Sequence, residues 1–164
     1  KAVTITAFFC FISMNHYSEL IYKIEELGQP LVNTITSGNF EDIDLSKANI
    51  YSLLHIFVSG GGFTNGSTVL LNIQLGCFQQ RNNNSELNED KLFSNDNRVD
   101  NMNETLSTVN TIWTKLYTDF EQNNITASEN PTLGPVENGY ENGLDGWILT
   151  FDLEMPNQRL NLCQ

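Results

Sequence analysis

"NGLDGWILTFDLEMPNQRLNLC", residues 142–163, carries the clearest structural pattern in the chain. Large apolar residues alternate there with a second set that includes two acids, which is the period-2 pattern of a β-strand with two different faces. Pro156 lacks a backbone N–H and is expected to end the strand. The pattern therefore predicts an amphipathic strand with an acidic outer face. Its apolar face comprises Trp147, Leu149, Phe151, Leu153 and Met155, and its other face Ile148, Thr150, Asp152 and Glu154.

The remaining hydrophobic pattern predicts two helices and further strands. Residues 15–28 place apolar side chains at helical spacing and end at Gly28, with Pro30 beyond it. Residues 50–80 predict two strands around a glycine-rich hairpin loop, "SGGGFTNGS" at 59–67, and the first strand is apolar enough on both faces to be central. In the second strand the residues expected to face the core are Val69, Leu71, Ile73, Leu75 and Cys77. The clearest helix has a narrow apolar stripe formed by Val99, Met102, Leu106, Val109, Trp113, Leu116 and Phe120.

The region between this helix and the last strand is weaker in pattern. Residues 125–140 contain Pro131, Gly134 and Pro135 and predict a poor strand or a loop. With a connector before residue 50, the order becomes helix, strand, strand, helix, weak strand, strand. This order indicates an α+β fold in which a mostly antiparallel sheet is packed by two main helices.

The length of 164 residues suits one domain, which we expect over residues 14–164. Residues 1–13, "KAVTITAFFCFIS", are fewer than the roughly 20 apolar residues that cross a bilayer. They predict an extended N-terminal arm or an edge strand and no membrane contact. They also look like the apolar part of a signal peptide, which keeps a secreted, glycosylated binding module as an alternative. Sequons for glycosylation stand at Asn65, Asn83, Asn103 and Asn124.

The composition excludes several functions. The formal net charge is −12, from 20 acidic and 8 basic residues, so a groove that grips nucleic acid is not expected, although such a protein can surround DNA without holding it. The histidines, His16 and His55, have no metal-ligand spacing, and a lone histidine in an apolar strand indicates a structural role. Cys10, Cys77 and Cys163 lack close spacing and predict free thiols. We expect no enzyme, no metal site and no cofactor.

Two groups of residues are candidates for contacts with other molecules. Phe63, Thr64 and Asn65 lie at the tip of the predicted hairpin, where an exposed aromatic ring would contact a partner chain. Asp152 and Glu154 lie about 7 Å apart on one strand face, which faces solvent or a lumen. An acid/base or cation-binding pair is the alternative for these two carboxylates. The polar segment 81–97 adds acids with the same interpretation, at Glu86, Glu89 and Asp90.

Several C-terminal features form one recurrent pattern: "GPVE" at 134–137, "ENGLDGW" at 141–147, the alternating strand, Pro156 and a last cysteine. This pattern resembles tail terminator, or tail-completion (neck), proteins of tailed phages that infect Bacteroidetes. The earlier order of elements from Met14 onward is similar, so the resemblance covers about residues 14–164. Its specific part is 134–163. Residues 1–13 and the asparagine-rich insertion near 81–97 depart from the pattern.

The resemblance implies a structural virion protein with an α+β fold and no catalytic residues. Such a protein forms a ring, usually a hexamer, that caps the tail tube and joins it to the head connector. Its implied partners are further copies of itself, the tail tube protein, a head connector or stopper protein, and genomic DNA that passes through the lumen without specific binding. The implied location is the neck of the virion, assembled in the host cytoplasm. Trp147 matches the tryptophan before the last strand and is expected in the core.

A second role within the same class is open. A head-completion or stopper ring, on the capsid side of the same joint, has the same size and an acidic interior. The secreted binding module is the alternative from another class.

Overall fold

The computed structural model describes residues 17–45, 51–64, 68–82, 97–122, 125–140 and 142–156. The predicted arm, residues 1–13, lies outside these residues. The elements in chain order are helix α1 (Tyr17–Gly28), strand β1 (Thr34–Ser37), a 3₁₀ helix (Phe40–Leu45), strands β2 (Leu53–Thr64) and β3 (Thr68–Gln80), helix α2 (Arg98–Gln122), and strands β4 (Thr126–Ala127), β5 (Thr132–Gly139) and β6 (Leu144–Pro156).

The strands form one six-stranded sheet. Its order is β1–β2–β3–β6–β4, and β5 pairs with β6 on the same side as β4. β1 runs parallel to β2, whereas the other pairs are antiparallel. The predicted α+β fold with a mostly antiparallel sheet and two main helices is therefore confirmed. The central position predicted for β2 is also confirmed over Leu53–Ile56, where both of its faces are buried.

Both helices pack on one face of the sheet, which we call the helix face, and enclose the main core. The amphipathic pattern of β6 is confirmed for its apolar face, since Leu149, Phe151, Leu153 and Met155 are buried there. Removing such side chains from water supplies about 1.5–3 kcal/mol each before conformational entropy is subtracted. The helices and the other strands contribute Leu20, Ile24, Val109, Ile112, Leu116, Phe120, Leu54, Ile56, Ile73, Leu75 and Cys77.

A second, smaller core lies on the opposite face, which we call the outer face. Ile43 of the 3₁₀ helix packs there with Leu53, Phe78 and Leu144, all of them buried. The sequence pattern did not reveal it, because Phe78 and Leu144 stand at the strand ends that meet the polar segments. Among the described residues, the outer face is thus covered at one end only.

Three elements differ from the sequence-based expectation. The connector before residue 50 contains β1, a short edge strand whose hydrogen bonds come from β2, far away in sequence. Gly60–Gly62 belong to strand β2 and not to a loop, since β3 supplies the paired backbone. The weak segment at 125–140 contains the eight-residue strand β5. Pro135 is compatible with that strand because β5 is an edge strand.

The first half of α2 buries a different side from the predicted stripe. Val99 is 37% exposed, and Met102 and Leu106 are only half-buried. Asn101 and Thr105 are buried instead, and the Thr105 hydroxyl donates to the Asn101 carbonyl at 2.6 Å. The Thr105 bond stays within the helix and satisfies its buried hydroxyl, whereas the Asn101 amide donates to the Gln80 carbonyl of β3 at 3.1 Å. This bond across to the sheet favours an orientation of the first half of α2 in which Asn101 is buried.

Strand β6 approaches β3 closely at Gly146, and a substitution at this glycine tests that approach. A Cβ at this position would lie 1.9 Å from the Cys77 carbonyl oxygen, whereas a Cβ at Gly134 on β5 would meet nothing within 4 Å. We expect Gly146→Ala to lower the free energy of unfolding by about 3 kcal/mol, the upper end of typical overpacking costs. Gly134→Ala should change it by less than about 0.5 kcal/mol. Urea unfolding of both variants measures the difference, and equal stabilities would contradict the close approach.

Candidate functional site

The sheet has two unlike ends. At one end lie the start of β2, the end of β3 and the start of β6, covered on both faces by the two cores. At the other end, β2 becomes exposed from Ser59 to Thr64, next to the first residues of β3 and the last residues of β6. We call these the covered end and the open end. Both groups of candidate residues that the structure describes lie at the open end.

Phe63 stands on the helix face of the open end with 77% of its surface exposed. A β-bulge between Val58 and Gly60 shifts the register by one residue. Phe63 therefore pairs with Val69, which in turn pairs with the buried Met155. The ring thus extends the apolar face of the sheet into solvent. A partner contact at this position remains a prediction.

The other two hairpin candidates are less informative. Thr64 is exposed at the end of β2, and its carbonyl accepts a hydrogen bond from the Thr68 hydroxyl at 3.0 Å. Asn65 lies outside the described residues, as do Glu86, Glu89 and Asp90.

Asp152 and Glu154 both lie on the outer face, as the alternation predicted. Asp152 is exposed and accepts a hydrogen bond of 2.8 Å from the amide of Asn72 on β3. Glu154 is half-buried and pairs in register with Leu70. Neither carboxylate forms an ion pair with a lysine or arginine among the described residues. Among the described residues, the outer face of the open end thus carries negative charge that no ion pair compensates.

Glycine makes this acidic face shallow. Gly60 and Gly62 stand beside Asn72 and Leu70, and a Cβ at either glycine would meet nothing within 4 Å. Leu70 is 39% exposed as a result. The outer face of the open end is therefore a shallow surface that another molecule can approach closely.

The covered end contains a buried ion pair that sequence reasoning missed. Asp145 is fully buried and accepts a hydrogen bond of 2.9 Å from Nε of Arg81, with a second from the same guanidinium. Its Oδ1 also accepts the Asn138 backbone N–H at 2.9 Å, and Asn101 approaches its Oδ2 at 3.5 Å. This one carboxylate thus connects β6 to β3, to α2 and to the end of β5.

The hydrogen-bond partners of Asp145 lower its pKa by more than its burial raises it. Burial by itself raises the pKa of Asp145, but the Arg81 guanidinium, the Asn138 N–H and the Asn101 amide together hold that pKa below its usual 3.8. No single sequence feature pointed to this site. "LDGW" reads as a turn followed by a strand, and Arg81 lies 64 residues away.

The motif residues at 144–147 all have structural contacts. Leu144 belongs to the smaller core, Asp145 to the ion pair, and Gly146 to the close approach described above. Trp147 is half-buried at the margin of the core rather than inside it, and its indole N–H donates to the Met102 carbonyl of α2 at 3.0 Å. The motif therefore acts as an anchor for the β5–β6 hairpin and α2.

An open apolar groove of about 410 Å³ separates α2 from β5. Leu133, 47% exposed on β5, forms one wall, and Leu106 and Trp113 of α2 form the other. Asn103, the one sequon asparagine among the described residues, is exposed at its margin. The groove explains why Leu106 and Trp113 of the predicted stripe are only half-buried.

The remaining chemically notable side chains have structural explanations. His55 is buried and hydrogen-bonds the Thr36 hydroxyl at 2.8 Å and the Gly38 carbonyl at 3.0 Å, so the structural role predicted for it is confirmed. Cys77 is a free thiol, as predicted, and burial raises its pKa to about 12. His16, Cys10 and Cys163 lie outside the described residues. Within the described ranges, no three His, Cys, Asp or Glu side chains are grouped to hold a metal ion.

No protein-family model matches the chain, and no curated protein matches it. In the part of the chain that the structure describes, no helix is long and apolar enough to cross a bilayer.

The Arg81–Asp145 pair predicts a specific loss of stability. Arg81→Met leaves a buried carboxylate without its cation, which should lower the free energy of unfolding by about 3–5 kcal/mol at pH 7. Because the pKa of Asp145 is lowered by folding, its ionised form stabilises the protein above about pH 3.8, and this stabilisation is lost as the pH falls below that value. Urea unfolding of the wild type and of Asp145→Asn should therefore differ more at pH 5 than at pH 3. A difference that grows on acidification would contradict the assignment.

Proposed function

We propose that this protein is a structural virion protein that closes into a ring at the head–tail junction of a tailed phage. There it caps the tail tube and joins it to the head connector. The observation that carries the proposal is the open end of the sheet. It combines a shallow acidic face, whose carboxylates form no ion pair with another described residue, and an exposed aromatic ring on the opposite face. The C-terminal resemblance supports the same class of protein.

The acidic face suits a channel for DNA. Asp152 and Glu154 add local negative charge to a chain whose formal net charge is already −12. In a ring these carboxylates repeat once per copy around the axis and repel phosphates over a Debye length of about 8–10 Å. DNA then passes the lumen without being held, so this face is assigned to the lumen.

The apolar features suit contacts between proteins. Phe63 lies on the helix face at the open end, and the groove beside Leu133 lies between α2 and β5. They are therefore two different apolar surfaces of the same protein. A ring requires such unlike surfaces, because each copy contacts the next through a head-to-tail interface. The two ends of the assembled protein ring then contact the tail tube on one side and the head connector on the other.

The state of assembly is the first test. Native mass spectrometry of the purified full chain should show a closed species of about six copies, or a monomer that forms this species when tail tubes are added. Negative-stain images should show a ring with a central hole. A monomer or a dimer both with and without tubes would overturn the proposal. Labelling of intact virions would distinguish a terminator at the tube from a head-completion ring at the capsid.

The lumen assignment has its own test. Asp152→Lys with Glu154→Lys should make the ring bind double-stranded DNA at least about tenfold more tightly at low salt, since phosphate contacts dominate non-specific affinity. Glu26→Lys with Asp100→Lys, on the exposed surfaces of the two helices, is the control with the same change in charge. Fluorescence anisotropy with labelled DNA measures both variants. Equal gains would show that total charge decides binding, which would contradict a lumen position for Asp152 and Glu154.

A further inference from the structure

Strand β2 has a long edge beside which the described part of the chain places no other strand. β1 pairs only with Leu53–Ile56, and the last contact on that side is the Gly38 N–H to the Ile56 carbonyl, at 3.1 Å. From Phe57 to Thr64 the opposite side of β2 pairs with β3, while no described strand lies beside the outer edge. At about 3.4 Å per residue this edge is about 27 Å long. An unpaired edge of this length is a template for another strand.

The edge lacks most of the features that protect strand edges from pairing. Residues 53–64, "LLHIFVSGGGFT", contain no proline and no Asp, Glu, Lys or Arg, and the bulge at Ser59 is the one interruption. The opposite side of the sheet differs, since β5 contains Pro135 and Glu137 and has left-handed backbone at Asn138. Charges, prolines and irregular backbone are the usual means of blocking strand addition. β2 is therefore the side of the sheet that can accept a strand.

Contacts of α1 show which of its ends lies nearer the open end of the sheet. The C-terminal end of α1 lies over the covered end, since a Cβ at Gly28 would lie 2.7 Å from the Leu54 side chain. Lys23 pairs with Asp119 near the end of α2 at 2.9 Å. The next residue, Phe120, packs on Phe151 of β6. Lys23 thus lies nearer the open end than Gly28 does.

The direction of α1 follows from comparing the two positions along the sheet that its ends contact, each defined by residues in register on β2, β3 and β6. Leu54 stands in register with Cys77 and Trp147, while Val58 stands in register with Ile73 and Phe151, four residues further along β2. α1 therefore runs from the open end to the covered end. Tyr17 lies about 9 Å beyond Lys23, at the end where β2 has its unpaired edge. Helix α1 thus begins, at Tyr17, at the open end of the sheet.

The sequence of that segment suits strand addition. Residues 2–13, "AVTITAFFCFIS", are twelve residues rich in β-branched and aromatic side chains, without proline, glycine or charge. Eight of them are enough to pair with the whole edge from Phe57 to Thr64. A strand added beside β2 also places a side chain about 4.5–5.5 Å from that of Phe63, which would cover the exposed ring.

We propose that residues 2–13 of one copy pair as an additional strand with the Phe57–Thr64 edge of a neighbouring copy. The assignment to a neighbour rests on the proposed ring, in which each copy donates one arm and accepts another. The pairing itself depends only on the edge, on the position of Tyr17 and on the sequence of the arm. Main-chain hydrogen bonds provide the affinity, and the contact with Phe63 provides the register.

Alternately N-methylated peptides test strand addition. The acceptor is a full-length chain with Ile5→Pro and Phe8→Pro, which removes N–H groups on both sides of its own arm. A labelled peptide of residues 1–13 should bind this acceptor. Two further peptides carry N-methyl groups at every second residue, one at the odd and one at the even positions. One of them should bind at least tenfold more weakly than the parent peptide and the other about equally, because only alternate N–H groups of an added strand face β2. Equal binding of both methylated peptides, or no binding of the parent peptide, would overturn the proposal.

A substitution on the edge provides the matched control. Gly62→Lys places a charged side chain on the edge in open space, and Gly134→Lys does the same on β5. The first change should weaken peptide binding at least tenfold, and the second should leave it unchanged. Thermal unfolding of both variants verifies the fold. Equal affinities for the two variants would overturn the assignment to β2.

Mixing two variants decides between a neighbour's arm and the chain's own arm. The full-length Gly62→Lys chain has an intact arm and a blocked edge, while the Ile5→Pro, Phe8→Pro chain has an intact edge and a disabled arm. Neither should assemble alone, and together they should form a one-to-one pair in native mass spectrometry. Absence of the pair would overturn the exchange between copies. Formation of the pair by chains whose wild type forms no ring would instead retain the pairing and reject the proposed function.

Discussion

The antiparallel pairing of β3 with β6 is the contact on which the rest of the structure depends. The two strands pair along their whole length, from Thr68–Pro156 to Gln80–Leu144. Because side chains alternate between faces, a slip of one residue would move the apolar set outward and bring Asp152 and Glu154 into the core. Burying two carboxylates without cations is strongly unfavourable, so this register has no close competitor. The helices thereby receive one continuous apolar surface.

The two ends of this strand pair have opposite physical character. At the covered end, Asp145 and Arg81 hold four segments together inside low-dielectric surroundings, where removal of either partner leaves a costly unpaired group. At the open end, the outer face is acidic and shallow, and no strand in the described part of the chain lies beside the edge of β2. The buried ion pair therefore lies at one end of the sheet, and the surfaces suited to contacts with other molecules lie at the other.

Charge limits how copies of such a protein can meet. A formal charge of −12 makes most surfaces of two copies repel each other. The stretch from Leu53 to Thr64 carries no Asp, Glu, Lys or Arg, so contacts there avoid that repulsion. The proposed ring uses this uncharged edge between copies and leaves the carboxylates of β6 to the lumen. The same charge thus discourages non-specific association and discourages DNA binding.

Local pattern was sufficient for much of the fold. Period-2 alternation placed the apolar face of β6 correctly because one face had to be buried, and the fold class followed from the order of elements. The presence of Asp152 and Glu154 on one face, and the structural role of His55, also followed from position in a strand. Each of these depends on neighbours one or two residues away.

Tertiary contacts decided the rest. β1 and β5 are held by partner strands, so their short or proline-containing sequences gave little sign of them. Asn101 is buried on the sheet side of α2, away from the predicted apolar stripe, because the Gln80 carbonyl and the Asp145 carboxylate accept its amide N–H groups. The Arg81–Asp145 pair joins residues 64 positions apart, and no other described strand pairs with the edge of β2 beyond the point where β1 ends at Ser37. Pairing and burial between distant residues are properties of the folded chain, and no local pattern encodes them.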